Sequence, residues 1–505
     1  AFRAEYKGGF DVIIGNPPYV KLETIKEVSD KLSKSSYKTF EKRGDLYVLF
    51  VEKGFNILKN QGIISFIMPN KWLQAGYGKP LRSFFLEYKM NQLIDFGDLQ
   101  IFEGATTYPC IFISEKKIPE KNILIAVLKS EMKNDFNYNI SINNNSFDTS
   151  SFSDGTWIIS SNDDSKLLER LNLKFKNLAE FINGESNYGI KFGLTEAFLI
   201  DEEKRNELIK INPNSIELIG SILRGRDLGR YKTPNYEDLD SIILAYFGSY
   251  KILETQFPAL FNHIVQFEEK LKKRGQCNGS KSTDSKPFNG QHHWLELDNN
   301  PSLEYLELYK KPKIMYQKFQ VKPCFIFDEA KLYCNDSMWI IPTDNKGLLA
   351  ILNSKMGWWL ISKYCTQIQN GYQLIWKYFS QIPIANTPDE LAEKASKMIL
   401  RNKELQEQSS KFQRTLQRKF ELNDLPKKLQ DWYLLSYGEF IKELGKKKIK
   451  LSLSQEAEWE DYFSQEQQKA LALKQQIDTT DKEIDQMVYA LYGLTEEEIA
   501  IVEKS

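Results

Sequence analysis

The chain has 505 residues, 41% hydrophobic and 27% charged, with 68 basic and 68 acidic side chains and no net charge. That length exceeds a single hydrophobic core and predicts roughly two to four domains, while the charge balance excludes a histone-like polycation and leaves local basic clefts open. No apolar run is long enough to span a bilayer, so a soluble protein is expected, with no membrane partner.

Five cysteines (Cys110, Cys277, Cys324, Cys334 and Cys365) lack Cys-x-x-Cys pairing, and only three histidines occur. Neither a disulfide framework nor a metal site is expected, and the compartment reads as reducing and cytoplasmic. The chain opens Ala-Phe-Arg, without the basic, apolar, small-residue order of a signal peptide. It reads as a piece of a longer polypeptide.

In chain order, FDVIIG predicts a buried strand, DLYVLFVEKGFNILKN a helix with apolar residues three and four apart, and GIISFIMP, QLIDFGD and YPCIFISEK further strands. The texture is α/β, with buried strands of the parallel type, over residues 1–130. Residues 131–165 turn to Asn, Ser and Asp and predict loops around an edge hairpin, then a linker. Residues 166–385 mix short strands with many aromatics and predict a separate α/β domain, in which 275–290 read as an exposed loop.

At Thr387-Pro388-Asp389-Glu390 a capping residue, a proline at the first helical position and an acid at the third predict a helix start. Leu391, Met398, Leu405 and Phe412 recur every seven residues, as do Ala470, Ile477, Ile484 and Leu491, with Leu473 and Met487 as a second stripe. Residues 386–505 are therefore expected to form a helical region with two long antiparallel helices and DWYLLSYGEFIKELG as a further helix between them.

The corner Asn16-Pro17-Pro18-Tyr19 follows the first strand directly. Two prolines fix two φ angles and remove two donors, leaving a stiff loop that offers carbonyls. In open α/β sheets, ligands bind beyond the carboxyl ends of strands. The Asn16 amide oxygen and the Pro17 carbonyl can together accept both hydrogens of one planar amino group, localising its lone pair for attack on an electrophile. Tyr19 offers a face on which a heterocycle can stack. Asn-Pro is also an ordinary turn dipeptide, so a plain strand-to-turn corner is the competing reading.

In order, FDVIIGNPPYVKLE, GDLYVLFVEKGFNILKNQGIISFIMPNKWL, LIDFGDLQIFEGATTYPCIFI, YGIKFGLTEAFLID, LRGRDLGRY, LLAILNSKMGWWLISKY and IDQMVYALYGLTEEEI resemble the gamma-class adenine-specific DNA methyltransferases. More narrowly, they are similar to combined type II restriction-modification polypeptides with a TaqI-like C-terminal specificity domain. The resemblance implies the C-terminal half of a Rossmann-like methyltransferase sheet, then a mixed α/β target recognition domain and a helical C-terminal region. It also implies S-adenosylmethionine as methyl donor, double-stranded DNA as partner, and methylation of the 6-amino group of an adenine flipped out of the duplex.

By motif, Asn16, Pro17 and Pro18 would hold the target amino group, Asn16 also bordering the cofactor, and Tyr19 would stack on the base. Phe102 would close on the base from its other side, while Phe50 would pack on the cofactor's adenine with Asp45 opening the same motif. The family's Gly-rich cofactor loop and ribose-binding acid lie upstream of the corner, yet 15 residues precede Asn16. The upstream half of the same polypeptide is therefore expected to complete the cofactor site, and this stretch alone to be inactive.

For DNA contact, LRGRDLGRY places Arg224, Arg226 and Arg230 together, LKKRG adds Lys272, Lys273 and Arg274, and Lys191 and Lys318 stand in other short motifs. Such cations supply salt-dependent affinity at phosphates, and Arg reads guanine edges. Two other readings remain: a non-catalytic DNA-recognition fragment, and a methyltransferase that uses the same corner on a protein glutamine or on RNA.

Overall fold

The apolar runs of the first region pair into one six-stranded sheet. Its strands are β1 (Phe10–Gly15), β2 (Leu58–Pro69), β3 (Lys89–Asp95), β4 (Pro109–Glu115), β5 (Asn122–Val127) and β6 (Asn144–Asp148), in the spatial order β1-β2-β4-β3-β5-β6. The structure, a computed structural model, describes residues 8–97, 99, 101–102, 107–128, 144–149, 152–155, 157, 162–232, 234, 239–277, 290–329, 331–368 and 370–504. The chain divides into two compact units, one of residues 1–174 with 366–370, the other of 175–365 with 371–505.

In the first unit β1 pairs parallel with β2, and β3 parallel with β5. Strand β4 runs antiparallel between β2 and β3, and β6 antiparallel beside β5. The sheet is thus mixed rather than uniformly parallel, while β1, β2, β3 and β5 still bring their carboxyl ends to one edge. Of residues 131–165, where loops around an edge hairpin are expected, 131–143 lie outside the described residues, and β6 pairs antiparallel with β5, which precedes that range.

Helix α1 spans Lys26–Leu32, α2 Leu46–Ile57 and α3 Lys79–Phe85. Tyr47, Val48, Val51 and Phe55 of α2 bury against Ile64, Phe66, Phe85 and Phe112. Gly54 permits this approach, since a Cβ there would meet the Ile64 side chain at 2.4 Å. The edge strand departs from expectation: β1 is not buried, and Val12 and Ile14 are 56% and 80% exposed.

The second unit holds two four-stranded sheets. One orders Tyr333–Cys334, Ile219–Leu223, Ser241–Ile243 and Leu199–Ile200; the other orders Phe325–Asp328, Lys313–Gln317, Met338–Pro342 and Asn187–Tyr188. Several of the charged groups inside it are internally matched. Lys313 is fully buried and its Nζ lies 2.6 Å from Asp328 Oδ2. Arg274 donates to the carbonyls of Leu271, Phe192, Trp294 and Glu296, and the Glu296 carboxylate accepts from the backbone of Gly248, Tyr250 and His293.

The long helices run Asp389–Phe420 and Leu453–Tyr492. They pair antiparallel, with Lys394 against Glu483 at one end and Gln408 against Glu466 farther along. The seven-residue stripe of the first helix is buried. On the second, Leu473 and Met487 are only half-buried, and the second buried stripe includes Thr480, Val488 and Tyr492 instead. Pro388 stands outside the first helix as its N-cap, and the Thr387 hydroxyl accepts from Asn345 instead of capping. The helix between them is shorter than expected, Tyr437–Lys446, because Ser436 caps it with Glu439 in a reciprocal box.

Candidate active site

Strand β1 ends at Gly15, and the chain turns at Asn16-Pro17-Pro18-Tyr19. Asn16 and Pro18 are exposed, Pro17 is buried and Tyr19 half-buried. The Asn16 side chain has no protein partner among the described residues. Behind it the loop is fastened to the start of α2: Leu46 N donates to Val20 O at 2.8 Å and Leu22 N to Gly44 O at 3.0 Å. A stiff backbone with a free amide at the carboxyl edge of the sheet suits recognition of an amino group.

Tyr19 is held by its hydroxyl, which donates to the Ile67 carbonyl, and by an edge contact with Tyr47. Burial, with Cys110 beside it, pushes the phenol up to about 12, so the ring is neutral at physiological pH. Phe102 lies with its ring centroid 6.5 Å from that of Tyr19, at an interplanar angle of 66°. A base stacked between two parallel rings needs a separation of about 7 Å, twice a favourable carbon–carbon distance. The observed pair is closer than that and edge-on, so a base would enter only as the two rings part and turn.

Two residues absent from the candidate site residues above, although they lie within the quoted motifs, brace the segment carrying Phe102. Asn70 follows β2 and donates from Nδ2 to Asp95 Oδ1 at 2.8 Å, and the same oxygen accepts from Gly97 N. Asn70 N donates to Tyr108 O at 2.8 Å. The pair therefore fastens both ends of the segment carrying Phe102. Burial raises the Asp95 carboxyl, against the hydrogen bonds from Asn70 and Gly97. The signal that could have found them is positional, since Asn70 and Asp95 stand at carboxyl ends of strands.

Asp45 is the N-cap of α2 but makes no capping bond through its side chain, and Phe50 is 43% exposed although Tyr47, Val48, Leu49 and Val51 are buried. Phe50 shares the exposed face of α2 with Lys53 and Asn56, and is the aromatic side chain on that face. Among the described residues no group of three or more His, Cys, Asp or Glu could hold a metal ion.

The basic residues of the second unit divide by environment. Arg230 donates to both oxygens of Asp481 and to the Asn353 carbonyl, and Arg274 is buried on carbonyls. Both were expected at DNA, and both are held by internal partners. Lys191 is half-exposed and paired with Asp298 at 2.7 Å, and Arg224 with Asp240 at 2.7 Å. Lys272 pairs with Glu268 and lies over the Trp294 ring. Lys273 is exposed and Lys318 half-buried, and neither side chain has a partner among the described residues. Arg226 lies in the turn Gly225–Asp227. Of the expected exposed loop, residues 278–289 lie outside the described residues.

Residues 1–102 match the Eco57I restriction-modification methylase family, 221–384 the TaqI-like C-terminal specificity domain, and 384–488 a domain of unknown function, DUF8810. The chain is 28% identical over 323 residues to the type II restriction enzyme and methyltransferase RM.Eco57I of Escherichia coli, covering 58% of this chain and 31% of that protein. It is 29% identical over 214 residues to the type II methyltransferase M.BstVI of Geobacillus stearothermophilus, covering 39% of this chain and 38% of the relative. The chain thus spans roughly a third of the length of these two relatives. Among solved structures, the type IIL restriction-modification enzyme MmeI in complex with DNA shares the fold, with a TM-score of 0.52 and 14% identity over 97% of this chain and 55% of that one. No helix among the described residues is long and apolar enough to cross a membrane.

Proposed function

We propose that this chain supplies the catalytic corner and the target recognition region of a DNA adenine methyltransferase within a restriction-modification polypeptide of the cytoplasm. The observation that carries the reading is the unpartnered Asn16 amide at the sheet's carboxyl edge, beside the aromatic rings of Tyr19 and Phe102. An adenine extruded from the duplex enters between Tyr19 and Phe102. Asn16 Oδ1 and the Pro17 carbonyl accept its two amino hydrogens and localise the nitrogen lone pair. When bound, S-adenosylmethionine supplies an electrophilic methyl group. Phe50 and Asp45 would hold its nucleoside part; as the amino nitrogen took the methyl group, the donor's sulfur–carbon bond would break to leave the neutral thioether, and the nitrogen would release one proton to water.

The exposed outer side of β1, with Val12 and Ile14, fits cover by the upstream half of the same polypeptide, which completes the cofactor site. Lys191, Arg224, Arg226, Lys272, Lys273 and Lys318 contact double-stranded DNA, the two unpaired lysines at phosphates.

The test is transfer of a labelled methyl group from S-adenosylmethionine to duplex DNA by the chain extended upstream, with mass spectrometry of the digested product. Methyl on the adenine 6-amino group is the expected result. Methyl on a protein glutamine or on RNA instead, or DNA binding without transfer, would overturn it.

A further inference from the structure

The helical tail carries an open cleft of about 420 Å³ lined by Thr415, Arg418, Lys419, Glu458, Trp459 and Tyr462. Its floor is fixed from behind. Tyr462 stacks on Phe412 at 5.5 Å and meets Trp459 edge-on at 5.6 Å, Trp459 packs on Phe420 at 5.1 Å, and Phe412 stacks on Trp432 at 3.7 Å. A ligand meeting such a floor need not order it, and binding is stronger for that.

The rim is charged. The last three turns of the first long helix carry Lys411, Arg414, Arg418 and Lys419, with no acid between Glu407 and Glu421. Arg418 and Lys419 are exposed and have no ion-pair or hydrogen-bond partner among the described residues. The helix dipole accounts for cations in the last turn only, whereas Lys411 and Arg414 lie further back. Glu458 is exposed on the facing helix, also without a partner among the described residues. It would repel a bare anion but accept a hydrogen bond from an amino group.

We infer that this cleft binds a nucleotide, its base against the half-buried Tyr462 over the edge of the buried Trp459, with an exocyclic amino group on Glu458 and its phosphate on Arg418 and Lys419. Aromatic faces beside cations are the general means of holding unpaired nucleotides. The nucleotide comes either from a single DNA strand or from a free nucleotide.

The test uses the full chain and a short single strand of alternating adenine and 5-iodouracil, irradiated and mapped by peptide mass spectrometry. An adduct on the peptide containing Trp459 and Tyr462 is expected, lowered roughly tenfold in Arg418→Glu/Lys419→Glu, because two cations that neutralise phosphate become anions. Both positions are exposed, so an unchanged circular dichroism spectrum shows that the variant folds. Competition by excess ATP identifies a free nucleotide as the ligand, and competition by unlabelled strand alone identifies DNA. No adduct on that peptide, or an adduct unchanged in the double variant, overturns the assignment.

Discussion

The carboxyl edge of the first unit's sheet and the polar interior of the second unit use the same kinds of side chain to opposite ends. Asn16 is exposed with its amide unmatched, whereas Arg274, Glu296, Lys313 and Asp328 are buried with hydrogen-bonding partners. Buried polar groups without partners are costly, so matched ones serve architecture. An unmatched amide on a stiff corner is left available for a ligand.

The contrast breaks most sharply at the buried pair. Replacing Lys313 with Met strands the Asp328 carboxylate and is expected to lower stability by about 3–5 kcal/mol in urea unfolding, with recovery when Asp328→Leu is added. A smaller effect, or no recovery, would mean that water reaches the pair.

At the corner the expected effect is on turnover and not on stability. Asn16→Ala in the upstream-extended chain is expected to reduce methyl transfer about 10²–10³-fold, the usual consequence of removing one preorganised polar group, with the urea midpoint unchanged. Equal activity would leave the corner as a plain turn.

Glu296 sharpens the comparison through pH. Burial pushes its carboxyl up to about 7, despite the backbone donors that favour the anion. The fold therefore holds this proton where the unfolded chain has released it. The contribution is fully present below the unfolded carboxyl pKa, and is lost as pH rises through about 7. Relative to Glu296→Gln, the wild type is expected to lose roughly 3 kcal/mol across that window, at 1.36 kcal/mol per pKa unit. His293, held down to about 4 by burial, acts with the opposite sign, so the difference between the two proteins is the quantity to follow.

The smallest effects belong to the unpaired surface cations. Lys273→Ala and Lys318→Ala are each expected to weaken DNA binding a few-fold and to reduce the salt dependence by about 0.9 in log–log slope for each phosphate no longer neutralised. Arg230→Ala, by contrast, is expected to lower stability by freeing Asp481. Fluorescence anisotropy across a salt series, read beside urea unfolding, separates the two cases.

Local pattern is legible where burial and backbone chemistry agree. FDVIIG reads as a strand, DLYVLFVEKGFNILKN as a helix and the seven-residue stripe from Leu391 as a packed seam; each forms, although the helix ends at Ile57 and Leu58–Asn60 already belong to β2. The burial expected of β1 does not hold, because apolar residues indicate a face to be covered without naming what covers it. At the candidate site, Asn16 and Tyr19 stand out in sequence through the two prolines, but the Asn70–Asp95 brace does not, since it joins residues 25 positions apart through strand order. Arg230 and Arg274 escape sequence reasoning for the same reason: a guanidinium's partner is set by tertiary packing.

The Asn70–Asp95 brace bears on how Phe102 can move. With Gly97 and Tyr108 each tied to it, neither end of that segment can serve as a hinge. The anchoring removes chain entropy at both ends of the segment, so in the role proposed for Phe102, seating its ring over a base would order fewer dihedral angles than closing an untethered loop.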